Sequence, residues 1–393
     1  MKMKTRLPDQ NLTCSNLQAW NFERSGLLKV KCCMSLTLVM MLLWSPVFGN
    51  DGIVNGSDNR VLEAYELRIS GKADKAAELL SELLKTDSTN AMAHFELART
   101  REHMFLGGTQ LTSEAWAEVM DASKQAVRFD PKNEVFAFYY AYTCFFNAFI
   151  SMMRQQPDVE KNITQSCDAF QAVLNVNPDC YAAMLYLVDI YGILPEEMAG
   201  NKEKARTIAA DITSKDKIYG AMANARLLPD TANYVVYWQN VEKEVGVNAQ
   251  VLEELGRAYL LKSDTEKGTE YFMESIKSDV ARRYLIMHLA RYHIMPSQQD
   301  PGNKVQHMEA AVKMVDSYLH SGPELCPPLK AYANGILALI KMINGDNTGS
   351  NEYQEIAKSF DPFYSRATGI PSAMLYTRPD EVKVHYSSFF WPF

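Results

Sequence analysis

One pattern recurs along the chain and leaves it little choice of fold. An apolar stripe at helical spacing is followed by a short break, a second stripe, and an exit rich in Asp, Asn and Pro. It is clearest over residues 249–277, where Leu255, Gly256 and Tyr259 share one helical face. Ser263-Asp264 interrupts, and Gly268, Phe272 and Ser275 continue on a second helix. The small residue at Gly256 admits a close neighbour, and Tyr259 fills the wedge between the two helices. Asp130-Pro131, Asn177-Pro178 and Asp361-Pro362 end units at both ends of the chain, because proline cannot continue a helix. No stretch from Arg60 onward sustains the alternation of a strand. The expectation is an all-α chain built as one continuous solenoid.

Eight helix pairs follow: 60–70 with 74–86, 91–105 with 112–129, 134–154 with 162–176, 181–192 with 201–213, 216–227 with 231–245, 249–261 with 265–277, 281–295 with 303–320, and 328–343 with 350–360. Ala76 and Ala357 take the small position at the interhelix contact, and Asp87 to Asn90 caps the helix that follows. Ser113 is placed to cap its own helix. The fifth pair is irregular, and the seventh is broken from Pro296 to Gly302. The helix from 134 is unusually aromatic, with Phe136, Phe138, Tyr139, Tyr140, Tyr142, Phe145, Phe146 and Phe149.

The ends differ from the body. Lys29 and Lys31 precede the apolar run Leu36 to Trp44, and Val47 and Gly49 suit a signal peptidase cutting before Asn50. The run is shorter than the roughly 20 residues of a membrane span, so no transmembrane span is expected there. A start at Met34 would discard both lysines, so a start upstream of Lys29 fits better; the other reading is a buried N-terminal helix. Cys32 and Cys33 precede the run, which does not suit a lipid anchor. The domain reading is therefore 1–49 signal peptide, 50–59 linker, 60–362 solenoid and 363–393 capping tail. Proline at 371, 379 and 392 keeps the tail from forming a long helix. Its aromatic end, Tyr386 to Phe393, is expected to pack on the last repeat or back into the groove, and capping is favoured over a partner-binding peptide. Past the signal, Cys144, Cys167, Cys180 and Cys326 read as buried free thiols, although Cys144 and Cys167 fall in the two helices of one repeat and a bridge there stays open.

The net charge is −7, with +4 on residues 1–49 and −11 on the rest. An acidic body without a basic stripe argues against nucleic acid. No HExxH, GxSxG, Walker loop or paired CxxC occurs. His94 with His103, and His288 with His293, point different ways on their helices and make no metal pair. Glu78, Glu82, Glu253 and Glu254 read as solvated helix faces. The expectation is no catalytic site, no metal and no cofactor. Asn162-Ile163-Thr164 is a glycosylation acceptor only on a eukaryotic secretory route.

The Leu255-Gly256, Tyr259, Gly268, Phe272 pattern with its proline exits resembles the tetratricopeptide repeat (TPR). Ser88 stands where that family usually has proline. The unit ends Asp87, Asp130 and Asn177 lie 43 and 47 residues apart, against a usual period of about 34. The resemblance implies a right-handed superhelix whose first helices line a concave groove. It places Met92, Phe95, Arg99, Glu102 and His103 inward from the second pair, and Val135, Phe138, Tyr142, Phe145 and Phe146 from the third. Leu185 and Asp189 follow from the fourth, and Gln250, Glu253, Arg257, Leu260 and Leu261 from the sixth. Phe145 and Phe146 are read as core before groove. The groove residues singled out are Phe95, Arg99, Glu102, Phe138, Tyr142, Asp189, Glu253 and Arg257. The resemblance implies an interaction scaffold; with the expected signal and no catalytic motif, the leading expectation is an exported soluble scaffold, periplasmic or secreted, holding a protein or peptide partner. Leu194-Pro195, Gly200 and Lys204-Ala205 also resemble periplasmic TPR proteins associated with TRAP transporters, which implies as the alternative a solute-binding or transport-accessory component with an apolar small molecule. An enzyme hidden in the fifth unit or the tail is the third reading.

Overall fold

The computed structural model describes residues 59–107, 113–229, 231–299, 302–366, 373–384 and 386. The expected signal, nearly all of the linker, the Gly108 loop, the Ser113 side chain and the aromatic run after Tyr386 lie outside the described residues. Eight antiparallel helix pairs form a TPR-like all-α stack. They are α1 (Asn59–Ile69) with α2 (Ala73–Thr86), α3 (Ala91–Leu106) with α4 (Ser113–Phe129), and α5 (Glu134–Met153) with α6 (Val159–Val176). Then come α7 (Tyr181–Ile193) with α8 (Lys202–Lys215), α9 (Lys217–Arg226) with α10 (Tyr234–Val245), and α11 (Ala249–Leu261) with α12 (Thr265–Ser278). The last are α13 (Leu285–Gln299) with α14 (Lys304–His320) and α15 (Pro327–Ile343) with α16 (Asn347–Phe360). Pro296 does not end α13. The single turn α17 (Ala373–Tyr376) lies in the tail.

Helix starts are set by short side chains. The carboxamide oxygens of Asn90, Asn201 and Asn248 accept from the N–H groups of Ala93, Lys204 and Val251 at 2.9–3.0 Å. Asp216 and Asp346 do the same for Tyr219 and Gly349. Each satisfies an orphan donor of the first turn, worth roughly 1 kcal/mol. Pro327 and Pro328 open α15, where a missing N–H costs nothing. At the sixth pair a Cβ on Gly256 would overlap the Phe272 ring, and Tyr259 stacks on Tyr271 at 5.3 Å.

The two helices of a pair are buried differently. The second helices bury one stripe: Ala76, Leu80 and Leu83 on α2, Ala205, Ala209 and Ile212 on α8, Gly268, Phe272 and Ser275 on α12. Each large apolar side chain so covered contributes about 2 kcal/mol. The first helices α3, α5, α7 and α11 are buried on nearly all sides. α5 is long and apolar enough to cross a membrane, yet 72% of that stretch is packed inside the protein, as a core helix is. Cys144, Cys167 and Cys180 are buried free thiols and Cys326 is a half-buried one; burial pushes the Cys144 thiol up to about 11. Asn162 is buried and its amide donates to Ser151 Oγ at 2.7 Å, so the folded surface does not present this acceptor.

The stack closes on itself. Gly71 turns the chain between α1 and α2 at φ +81°, and a Cβ there would overlap the Phe360 carbonyl. A Cβ on Gly107 would likewise strike the Phe363 carbonyl. The last repeat therefore lies against the first two with backbone touching backbone.

Candidate binding site on the inner face

Three polar clusters line the first helices, and the tail reaches two of them. In the first, Glu96 on α3 receives Arg68 Nε at 2.8 Å and Arg99 Nη1 at 2.7 Å. All three side chains are fully buried. Each guanidinium also sends one donor to the tail: Arg68 donates to the Leu375 carbonyl and Arg99 to the Thr377 carbonyl. Tyr65 donates to the Tyr376 carbonyl between them at 2.8 Å. These carbonyls stand at the end of α17, where a helix leaves its acceptors unpaired and favours cations. One turn along α3, Glu102 accepts from Tyr139 and, at 3.0 Å, from Tyr142. Burial pushes its carboxyl up to about 7 against the pull of the two hydroxyls and the more distant Arg99 and Arg68. His103 Nε2 meets Asp361 Oδ2 at 2.7 Å, and Asp361 also accepts the N–H groups of Phe363 and Tyr364 at 2.8 and 3.0 Å. Burial holds His103 below its usual value, although Asp361 pulls the other way.

The second cluster joins α7, α9 and the tail. Asp189 pairs with Arg226 Nε at 3.1 Å and accepts from the Tyr386 hydroxyl. Arg226 also donates to that hydroxyl at 3.0 Å and lies over its ring, and the Tyr186 ring packs beside it, 5.1 Å between centroids. Burial raises Asp189, opposed by Arg226 and Tyr386. Between the clusters the tail first turns, the Glu381 N–H meeting the Arg378 carbonyl at 3.0 Å, and then leaves the turn at Val382. Val382 and Tyr386 are buried and Val384 half-buried, all three against the core, while Glu381 and Lys383 are exposed. That is the two-residue period of a strand with one face inward.

The third cluster has Glu253 of α11 at its centre. Arg257 donates to it through Nε at 3.2 Å and Nη2 at 2.7 Å, Arg282 through Nη1, and Tyr284 at 2.7 Å. Burial alone would raise this carboxyl; the two guanidiniums and the phenol offset it and hold it below the usual range. Glu254 accepts from Gln250 at 3.1 Å, and burial raises it. The expectation that Glu253 and Glu254 are solvated is corrected: they are 1% and 6% exposed, because a first helix has neighbours on every side.

All eight residues singled out from sequence are buried. Phe95 packs between Phe136 and Tyr139 with the Arg99 guanidinium over its ring, and Phe138 packs on Phe170 and Tyr186; both are core. Arg99 and Asp189 touch the tail. Glu102 and Tyr142 bond each other, as do Glu253 and Arg257. Sequence reading passed over Arg68, Glu96, Tyr139, Arg226, Arg282, Tyr284 and Asp361. Two local signals are available, Tyr139 one turn before Tyr142 and Glu96 three residues before Arg99; Arg68, Arg226, Arg282, Tyr284 and Asp361 reach their cluster partners across 28 or more residues. Among the described residues no three His, Cys, Asp or Glu side chains converge as a metal site. His293 meets not His288 but His307 of α14, Nδ1 to Nδ1 at 3.1 Å.

No protein-family model and no curated protein matches the chain. Among solved structures it is similar to a monomeric mutant of IFIT1 with Gppp-AAAA, at 14% identity and TM-score 0.35 over 74% of this chain and 68% of that one. It is also similar to the human IFIT1 dimer with PPP-AAAA, at 11% identity and TM-score 0.33 over 76% and 89%. A third likeness is to the MamA protein, at 13% identity and TM-score 0.26 over 56% and 93%.

Proposed function

We propose that the chain is an exported, non-enzymatic scaffold of helical repeats that binds a protein partner through an extended segment on its inner face. One observation carries this reading: side chains of α1 and α3 grip three consecutive backbone carbonyls, of Leu375, Tyr376 and Thr377. Such a grip reads main chain rather than a particular side chain, which is what a peptide-binding scaffold requires. The three clusters point the same way, since among the described residues their ionisable groups pair with each other rather than set a nucleophile and a base facing a common space. The apolar-ligand reading gains nothing comparable: an apolar cavity lined by Phe145, Phe149, Met152, Ile163 and Ile190 is about 20 Å³, room for one water, and a roomier one of about 300 Å³ is bordered by Asp121, Lys124, Asn147 and Gln165.

The test places a photocrosslinking residue at Lys383, on the exposed edge of the inner face, or at Glu82 on the outer side. Stoichiometric protein adducts in native cells at 383 and not at 82 are expected; adducts only at 82, or at neither, overturn the reading. Export rests on the basic–apolar–small order of residues 29–49, and mass spectrometry of the mature chain tests it by looking for an N-terminus at Asn50.

A further inference from the structure

We propose that residues 373–384 together with Tyr386 are a built-in ligand of the inner face, and that the partner segment is one that reproduces its chemistry. The inference rests on the proposed partner-binding role of this face. The segment it describes has two anchors. The first is a helical turn whose terminal carbonyls meet Arg68, Tyr65 and Arg99. The second, nine residues after Thr377, is a tyrosine whose phenol donates to Asp189 and accepts from Arg226. The run before that tyrosine alternates, with Val382 and Val384 inward and Glu381 and Lys383 outward.

Three features make the segment a ligand rather than another layer of the stack. The contacts described above use three of its backbone carbonyls as acceptors and one phenol that both donates and accepts, so an unrelated chain can supply the same groups. Its outer edge stays in solvent, so a competitor can begin to replace it without opening a helix pair. The two anchors also differ in what they recognise. The grip itself reads carbonyls, with the buried Met374 and Leu375 asking only for apolar neighbours, while the Asp189–Arg226 clasp needs a group that donates and accepts at one oxygen and carries a flat ring for the guanidinium to lie on. Tyrosine meets all three demands. Phenylalanine lacks the hydroxyl, and serine or threonine lacks the ring. The partner so described presents an extended apolar–x–apolar–x–tyrosine run. The resident tail holds the face closed to weaker segments, a competition that lowers apparent affinity by the fraction of time the tail is away.

The experiment replaces residues 367–372 of the full chain with a protease recognition sequence, cleaves the folded protein, and follows the released piece by size-exclusion chromatography. It then adds a fluorescent peptide of residues 373–393. The expected result is that the cut piece stays bound, that the labelled peptide exchanges for it, and that a Tyr386→Phe peptide binds about tenfold more weakly, the loss of a hydrogen bond to a charged group. A peptide carrying Val382→Asp and Val384→Asp is expected not to exchange. Three results overturn the inference: a cut piece that never exchanges, a body that unfolds when the piece leaves, or a Tyr386→Phe peptide that binds as well as the natural one. If exchange fails while the intact chain still crosslinks a protein at position 383, the scaffold reading survives and only the built-in ligand falls. If both fail, both fall.

Discussion

Glu102 and Glu253 stand on first helices of two repeats, each about 1% exposed, and they end in opposite states. Glu102 has two phenols and no guanidinium in contact, and burial drives it up to about 7. Glu253 has one phenol and two guanidiniums and stays ionised below the usual range. Burial is the same in both, so the cations decide. Arg68 and Arg99 lie near Glu102 but are already committed to Glu96 and the tail. The α3 side of the inner face thus spends its positive charge on a segment from far along the chain, and the α11 side keeps its own at home.

Breaking the stronger of the two clusters is expected to cost most. Glu253→Ala takes the shared carboxylate from Arg257 and Arg282 in a buried site, leaving Arg282 with Asp279 and Gln250, and is expected to lose about 3 kcal/mol, read as a fall in the urea midpoint; a change under 1 kcal/mol would mean that water reaches both guanidiniums. The next effect is a pH dependence. Glu102 is raised in the fold from 4.5 to about 7. Its favourable contribution is therefore complete below about pH 4.5 and is lost as pH climbs through 7. The whole span is worth roughly 3 kcal/mol at 1.36 kcal/mol per pH unit. Subtracting the urea profile of Glu102→Gln from that of the natural chain isolates this slope, and two parallel profiles would show that Glu102 titrates normally.

The phenols sharpen the comparison further. Tyr142→Phe removes a donor that favours the carboxylate, so the Glu102 inflection is expected to move above 7 with about 1 kcal/mol lost at high pH. Tyr284→Phe leaves two guanidiniums on Glu253, and no inflection is expected between pH 5 and 8. An inflection there would mean that the phenol, not the cations, keeps Glu253 charged. The smallest change is expected on the outer side: Glu82→Gln touches no cluster and should stay within about 0.5 kcal/mol, which sets the baseline for the rest.

The layout of helix pairs is legible in the sequence because its determinants are local. Gly256 and Phe272, Asn90 and Ala93, and Asp130-Pro131 each act within a repeat or across one turn. The polar clusters are not local. Arg68 finds Glu96 in the next repeat, and Asp189 meets Tyr386 from 197 residues away. Helical periodicity reports which side of a helix is apolar, and it fails on α3 because the inward side there is charged and still buried. Glu253 and Glu254 looked solvated for the same reason. The Val382, Val384, Tyr386 alternation is visible once sought, but three positions do not stand out as a strand, and their destination depends on closure of the whole stack.

That closure sets a timetable. A row of repeats that contact only their neighbours can fold as it is made, each unit settling on the one before. Here His103 waits for Asp361, 258 residues later, and at about 5–20 residues per second the ribosome takes roughly 13–50 s to deliver it. For that time the second repeat is out of the ribosome with its charged inner side uncovered. The emerging chain needs either a holding factor or an inner face polar enough to stand in water alone, and a row of Arg, Glu and His rather than Leu on α3 supplies the second.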